Sequence, residues 1–358
     1  MGVWKFVGGR RLVAGQLETN PACVASVEGS GDVVLHLAED DIMWPGFIDF
    51  HVHLKSNGVP GPGIDPVALP RMGVFGAADG GSYSWDNVPP DLQHARIATR
   101  RFVALLPEGL TQHPKAPRYK GLTDTVIERA QQCIATSSLP PVGLKIRLGQ
   151  HDAFEDEKLL RDAVWLARRL GLRVMVHLTG TFLPFDEIQA ALDSGDVVTH
   201  IFHGRRGSIL REGQLDPAVE TARSRGILFD VGHGANHFSW RVFRQSMIDG
   251  ILPDTISTDM TAKTHNLPPV IDLAYVCSKF VDIAGVPWSQ IYKATVATPS
   301  ELLQISPPSS VVVLKCHDGE VAFSDAEGEV VLGKRFWQPE VVIDGNRVIR
   351  NDLVTERG

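Results

Sequence analysis

Residues 46–54 read GFIDFHVHL, with two histidines set two apart in an otherwise apolar run. Successive residues of a β-strand point to opposite faces. The spacing therefore predicts Asp49, His51 and His53 on one face and Phe50 and Val52 on the other. Such a pair can hold one metal ion through its ring nitrogens, or it can be a surface pair of no consequence. The rest of the chain has to decide.

Seven further apolar runs follow: GVFGAADGGS (73–82), RRFVALLP (100–107), VGLKIRLG (142–149), LRVMVHLTG (172–180), VVTHIFHG (197–204), GILFDVGHG (226–234) and DTISTDM (254–260). Helix-compatible stretches lie between most of them. DEKLLRDAVWLARRLG (156–171) spaces its apolar residues three and four apart and ends on Gly171, a plausible stop. Eight runs alternating with helices predict an α/β fold, a (β/α)8 TIM barrel over residues 44–306. An open doubly wound sheet is the alternative, but no Gly-x-Gly-x-x-Gly follows the first run. The ends differ from this middle. WKFVGG, ACVASVEG and VVLHLAE before it, and SVVVLKCHDG, EVAFSDAEGEVV and PEVVIDGNRVIRN after it, alternate with turn residues. Residues 1–43 and 307–358 are therefore expected to pair into a small composite β-sandwich.

Composition narrows the class. A chain of 358 residues with 43% hydrophobic and 22% charged residues suits a soluble globular protein. A net charge of -7 argues against nucleic acid or an anionic membrane surface as main partner. Four cysteines without a CxxC pair indicate neither a disulfide framework nor a thiolate zinc site. No apolar run approaches the ~20 residues of a membrane span. Arg10 and Arg11 break the N-terminal run too early for a signal peptide, so a cytoplasmic setting is expected.

Barrel chemistry sits at the C-terminal strand ends. His51 and His53 end the first run, Lys145 lies in the fourth, His177 in the fifth, His200 in the sixth, and Asp259 ends the eighth. Singly, a strand-end histidine is usually a hydrogen-bonded core residue, and an aspartate after a strand is usually a cap. Four histidines, a lysine and an aspartate on five strand ends are more than packing requires, and they offer nitrogen and oxygen donors suited to zinc or a similar divalent ion. Lys145 and Arg147 share a face opposite Leu144, Ile146 and Leu148, and strands covered on both sides turn that face into the barrel. A buried, unpaired ammonium tends to lose its proton. The neutral amine can then take up carbon dioxide as a carbamate; an ion pair with Asp49 or Asp259 is the plainer reading.

PGFIDFHVH, GLKIRLG, VMVHLTG, VTHIFHG and STDM together resemble the binuclear metal branch of the amidohydrolase superfamily, across essentially the whole chain. FDVGHG, STDM and the downstream IYKATVATPSELL look closest to its dihydroorotase-like deacetylases. The resemblance implies two divalent metal ions, Zn2+ first among them. One would be held by His51, His53 and Asp259, the other by His177 and His200, with carboxylated Lys145 and a hydroxide bridging them. It implies attack of that hydroxide on an amide or ester bond of a small acylated acid, with Asp259 as general base and then general acid. His233, Lys55 and Arg147 are candidate contacts for a substrate carboxylate, and a homo-oligomer is allowed.

Two positions depart from the expected pattern. Dihydroorotases follow His-x-His with Leu-Arg, where this chain has Leu54-Lys55, and lysine is a point charge rather than a bidentate fork. His203 stands where a small polar residue is more usual, at the pocket wall or in a loop. His237 reads as structural or exposed. A cyclic amidase of dihydroorotase or hydantoinase type is the second reading, and a catalytically inactive barrel scaffold the third.

Overall fold

Burial on both faces, rather than one, governs the central strands of the computed structural model, which describes residues 1–20, 22–55, 63–85, 97–105, 118–137 and 140–352. Seven parallel strands follow one another in chain order: Phe47–Val52, Val74–Ser84, Ala98–Ala104, Gly143–Arg147, Arg173–His177, Val197–Thr199 and Leu228–Asp230. Residues 106–107 of the expected third run lie outside the described residues.

The eighth run forms no strand, yet it closes the ring. Thr255 bridges Asp230 on one side and Met260 bridges Val52 on the other. Asp259 interrupts it with a left-handed backbone (φ 49°), and its N–H donates to the His51 carbonyl at 2.7 Å. A non-glycine residue at positive φ is costly and persists only where its surroundings demand it.

Strict alternation fails in the first strand. Its register against the second shifts between Asp49 and Val52. Phe50 consequently packs with Ile48, Ala78, Phe102, Met175 and Val197, a layer drawn from five strands that fills the barrel floor. Asp49 leaves the histidine face and accepts from Thr258 N and Oγ1.

The helix expected over 156–171 spans Ala153–Leu170, begun by the Asp152 side chain accepting from Glu155 N and stopped by Gly171 at φ 67°. Among the described residues, no helix is long and apolar enough to cross a membrane.

The two chain ends meet where Val33–Trp44 pairs antiparallel with Val311–Ser324. They build one hydrogen-bonded sheet of seven strands. One face closes over Trp4, Phe6, Leu37, Met43, Val313 and Ile343, while Ile42, Trp44, Val312 and Leu314 join the barrel core. Strands of 12–15 residues with register shifts let a single sheet curl around its own small core.

Candidate metal centre

A cavity of about 570 Å³ opens at the C-terminal ends of the strands, lined among others by His51, His53, Lys145, Arg147, His177, His200 and Asp259. The sequence-selected donors thus converge, and His51 and His53 are buried rather than a surface pair. They fall into two groups whose donor atoms all lie within 4.8 Å of one another. One is His51, His53 and Asp259; the other is His177, His200 and His237.

His51, His53 and His200 are each held by the far ring nitrogen. Asp79 accepts from the Ser82 hydroxyl at 2.7 Å, so Ser82 Oγ accepts from His53 Nδ1 at 2.8 Å. Asp230 likewise accepts from Thr199 Oγ1 at 2.7 Å, leaving that oxygen to accept from His51 Nδ1 at 2.9 Å. His200 Nδ1 donates to the Gly232 carbonyl at 2.7 Å. These partners assign the proton to Nδ1 and leave three Nε2 lone pairs facing inward. His177 Nε2 is buried with no hydrogen-bond partner. A buried ring nitrogen in this state fits a metal ligand, because a bound cation would satisfy its lone pair.

The electrostatics suit cation binding. Burial, reinforced by neighbouring cations, holds His177 and His200 well below the ordinary histidine range, and His51 is lowered by burial and by Lys145. All three are neutral, the form that ligates metal. Burial alone would raise the Asp259 carboxyl. The close approach of the His53, His51 and His237 rings outweighs it and keeps Asp259 well below the usual carboxylate range. Asp259 Oδ1 lies 3.1 Å from His53 Nε2 and 3.5 Å from His51 Nε2.

Lys145 is fully buried. Its Nζ donates to His51 Nε2 at 3.2 Å and to Met175 Sδ at 3.0 Å, and burial pulls its pKa down to about 7. No carboxylate pairs with it among the described residues, so the ion pair with Asp49 or Asp259 is not formed. Close packing fixes this corner: a Cβ on Gly80 would run into the His51 ring.

Of the candidate substrate contacts, the structure brings only Arg147 to the cavity. Burial lowers its guanidinium to about 10, and it forms no hydrogen bond or ion pair among the described residues. Lys55 lies exposed at the strand end and is not part of the cavity wall. His233 is turned away. Its Nδ1 donates to Gly234 O, its Nε2 accepts from the buried Lys279 ammonium at 2.8 Å, and its ring stacks on Phe238. His203 is buried off the cavity, accepting from Arg205 N–H through Nδ1. Sequence reasoning missed His237, which lines the cavity, and Asp230, the carboxylate behind His51. Asp230 had a signal, being an acidic residue in the apolar run GILFDVGHG; His237, in a glycine-rich loop, had little.

No family model matches the chain. It is similar to a deacetylase of Agrobacterium fabrum, 28% identical over 322 residues that cover 85% of this chain and 78% of the relative. A deacetylase of Brucella anthropi is 27% identical, with 92% and 83% covered. Among solved structures, a dihydroorotase superposes with a TM-score of 0.81 at 25% identity, covering 97% of this chain and 98% of the other. An adenine deaminase shares the fold with a TM-score of 0.74 at 22% identity, covering 97% and 99%. A closed parallel barrel, a terminal-strand sheet and a histidine-rich cavity at the strand ends accompany these likenesses, and together they make the chain a metal-dependent hydrolase that resembles the dihydroorotase-like deacetylases of the amidohydrolase superfamily.

Proposed function

We propose that this protein removes a small acyl group from an acylated acid by hydrolysing an amide or ester bond. The observation that carries the reading is the set of fixed imidazoles whose free nitrogens face one cavity together with Lys145 and Asp259. His51, His53 and Asp259 would hold one divalent ion and His177 and His200 a second. Zinc suits a donor set of nitrogen and carboxylate oxygen. Lys145, with its pKa near 7, has a large uncharged fraction at neutral pH. Addition of carbon dioxide forms an N–C bond, releases one proton and leaves a carboxylate between the two groups. Bound ions supply Lewis acidity to a substrate carbonyl and lower the pKa of water.

Asp259, an ionised carboxylate at the cavity, takes a proton from the attacking water and returns it to the leaving oxygen or nitrogen. The Arg147 guanidinium, desolvated and unpaired among the described residues, takes the carboxylate of the acid, for which its planar fork is suited. The deacetylase names of the relatives support removal of an acetyl group from such a molecule. The likeness to a dihydroorotase supports cyclic amide hydrolysis as the second reading, and Lys55 lying outside the cavity counts against it.

Zinc-loaded protein assayed on N-acyl amino acids, O-acyl hydroxy acids and cyclic ureides tests this. Turnover of the open acylated acids is expected. Turnover confined to the ureides moves the assignment to the second reading, and folded protein that binds no metal and turns over none of them removes both.

A further inference from the structure

We infer that His237 is a metal ligand, completing with His177 and His200 a three-histidine site that keeps its ion without a carboxylated lysine. This rests on the metal-centre reading above and extends it by one ligand.

The three rings form a single cluster. Their centroids lie 4.3 Å (His177–His200), 5.0 Å (His177–His237) and 4.1 Å (His200–His237) apart. One nitrogen from each falls within 4.8 Å of the others. A tetrahedral zinc ion with Zn–N bonds of about 2.0–2.1 Å separates its ligand nitrogens by roughly 3.4 Å, so small ring rotations close the site. Two strand ends and the loop after the seventh strand supply these residues, which arrive from separate parts of the chain.

His237 is held as His51, His53 and His200 are. Its Nδ1 lies 3.0 Å from Thr179 Oγ1, in the loop after the fifth strand, just as His200 Nδ1 is held by the Gly232 carbonyl. That leaves Nε2 on the cavity side. Its nearest acidic atom, Asp259 Oδ2, is 3.7 Å away, beyond a useful hydrogen bond. The neighbouring His177 Nε2 is buried and has no hydrogen-bond partner among the described residues. Two inward nitrogens without a hydrogen bond, beside a third on His200, fit a shared cation better than ring packing. His233, four residues earlier, makes the contrast: both of its nitrogens are taken, by Gly234 O and Lys279 Nζ.

Three imidazoles with a fourth position open form a complete protein donor set. On this reading the Lys145 carboxylate serves to bridge the ions and is not required to retain the second one.

Elemental analysis of zinc-grown protein, with chelator titration of each ion, decides the matter. Wild type should hold two ions. His237→Asn should lose one, or release it to chelator with affinity lowered more than ~100-fold, beyond the about 10–100-fold of a residue that only supports a ligand. Thr179→Val, which removes only the support of His237, should weaken the same ion by about 10–100-fold and guards against misfolding of the first variant. In cobalt-loaded protein, His237→Asn should also change the visible absorption of one site. Two ions released by His237→Asn as in wild type, or a weakening under ~100-fold, overturns the assignment even if KM rises. Thr179→Val with unchanged release overturns it where His237→Asn does not fold. Wild-type protein without metal would instead fail the underlying metal reading, a distinct result.

Discussion

Lys145 Nζ lies 3.2 Å from His51 Nε2, and no carboxylate balances it among the described residues. An amine so placed is a poor ammonium and a good site for carbon dioxide. Intact-mass measurement under native conditions should show the added mass of carbon dioxide, and reconstitution with metal should depend on bicarbonate. Lys145→Ala should lose nearly all activity and the bridged state of the centre, with partial rescue by a short carboxylic acid. Two ions bound beside an unmodified Lys145 would defeat the bridging role.

Asp259 can be separated into ligand and proton carrier. Asp259→Asn keeps an oxygen at the same place but cannot take up a proton. General acid–base groups contribute ~10²–10⁴-fold in rate. The kcat and kcat/KM of the Asn variant should fall together by about that factor with much of the metal retained. Near-normal turnover with both ions present would move the proton transfer to another group.

Arg147 faces the cavity with no hydrogen-bond or ion-pair partner among the described residues. Arg147→Met should raise KM for an acylated acid by about 10–100-fold, the usual worth of a charge-assisted hydrogen bond, with kcat less affected. The same variant should lose little against an acylated substrate lacking a carboxylate. Equal losses on both would show that Arg147 supports the fold or the reaction instead of the acid group.

Asp272 links pH to stability away from the metal. It caps the helix Leu273–Ser278 by accepting from Tyr275 N, and burial pushes its carboxyl up to about 6 against that hydrogen bond and the charge of Arg350. The folded state therefore holds this proton more tightly than the unfolded chain, whose aspartates titrate near 3.9. Its stabilising effect is complete below about pH 4 and is lost as pH rises through about 6. Asp272→Asn keeps a capping side chain without the titration. The difference in Tm between wild type and variant should shift against wild type from pH 4 to 7, and a constant difference would refute the linkage.

Much of the fold was legible because its signals are local. Period-two apolar runs, helix periodicity and the Gly171 stop are set by neighbouring residues, and they sufficed for a barrel with added terminal strands. The eighth strand was the exception. Asp259 takes a left-handed conformation to meet His51, and that contact spans more than two hundred residues.

The site divides in the same way. Sequence by itself determined which chemistry was on offer: His51, His53, Lys145, His177, His200 and Asp259 are polar groups at the ends of apolar runs, and spacing alone exposes them. Only the tertiary structure decided which other groups are free to act. An imidazole is available when its second nitrogen is held and its first is not, and those partners come from distant strands. His51 is fixed by Thr199 and Asp230, which lie 148 and 179 residues away, while His233 is spent on Lys279 and His237 is left open. Hydrogen-bond occupancy is a property of the packed barrel, and no local pattern in GHGANH distinguishes its two histidines.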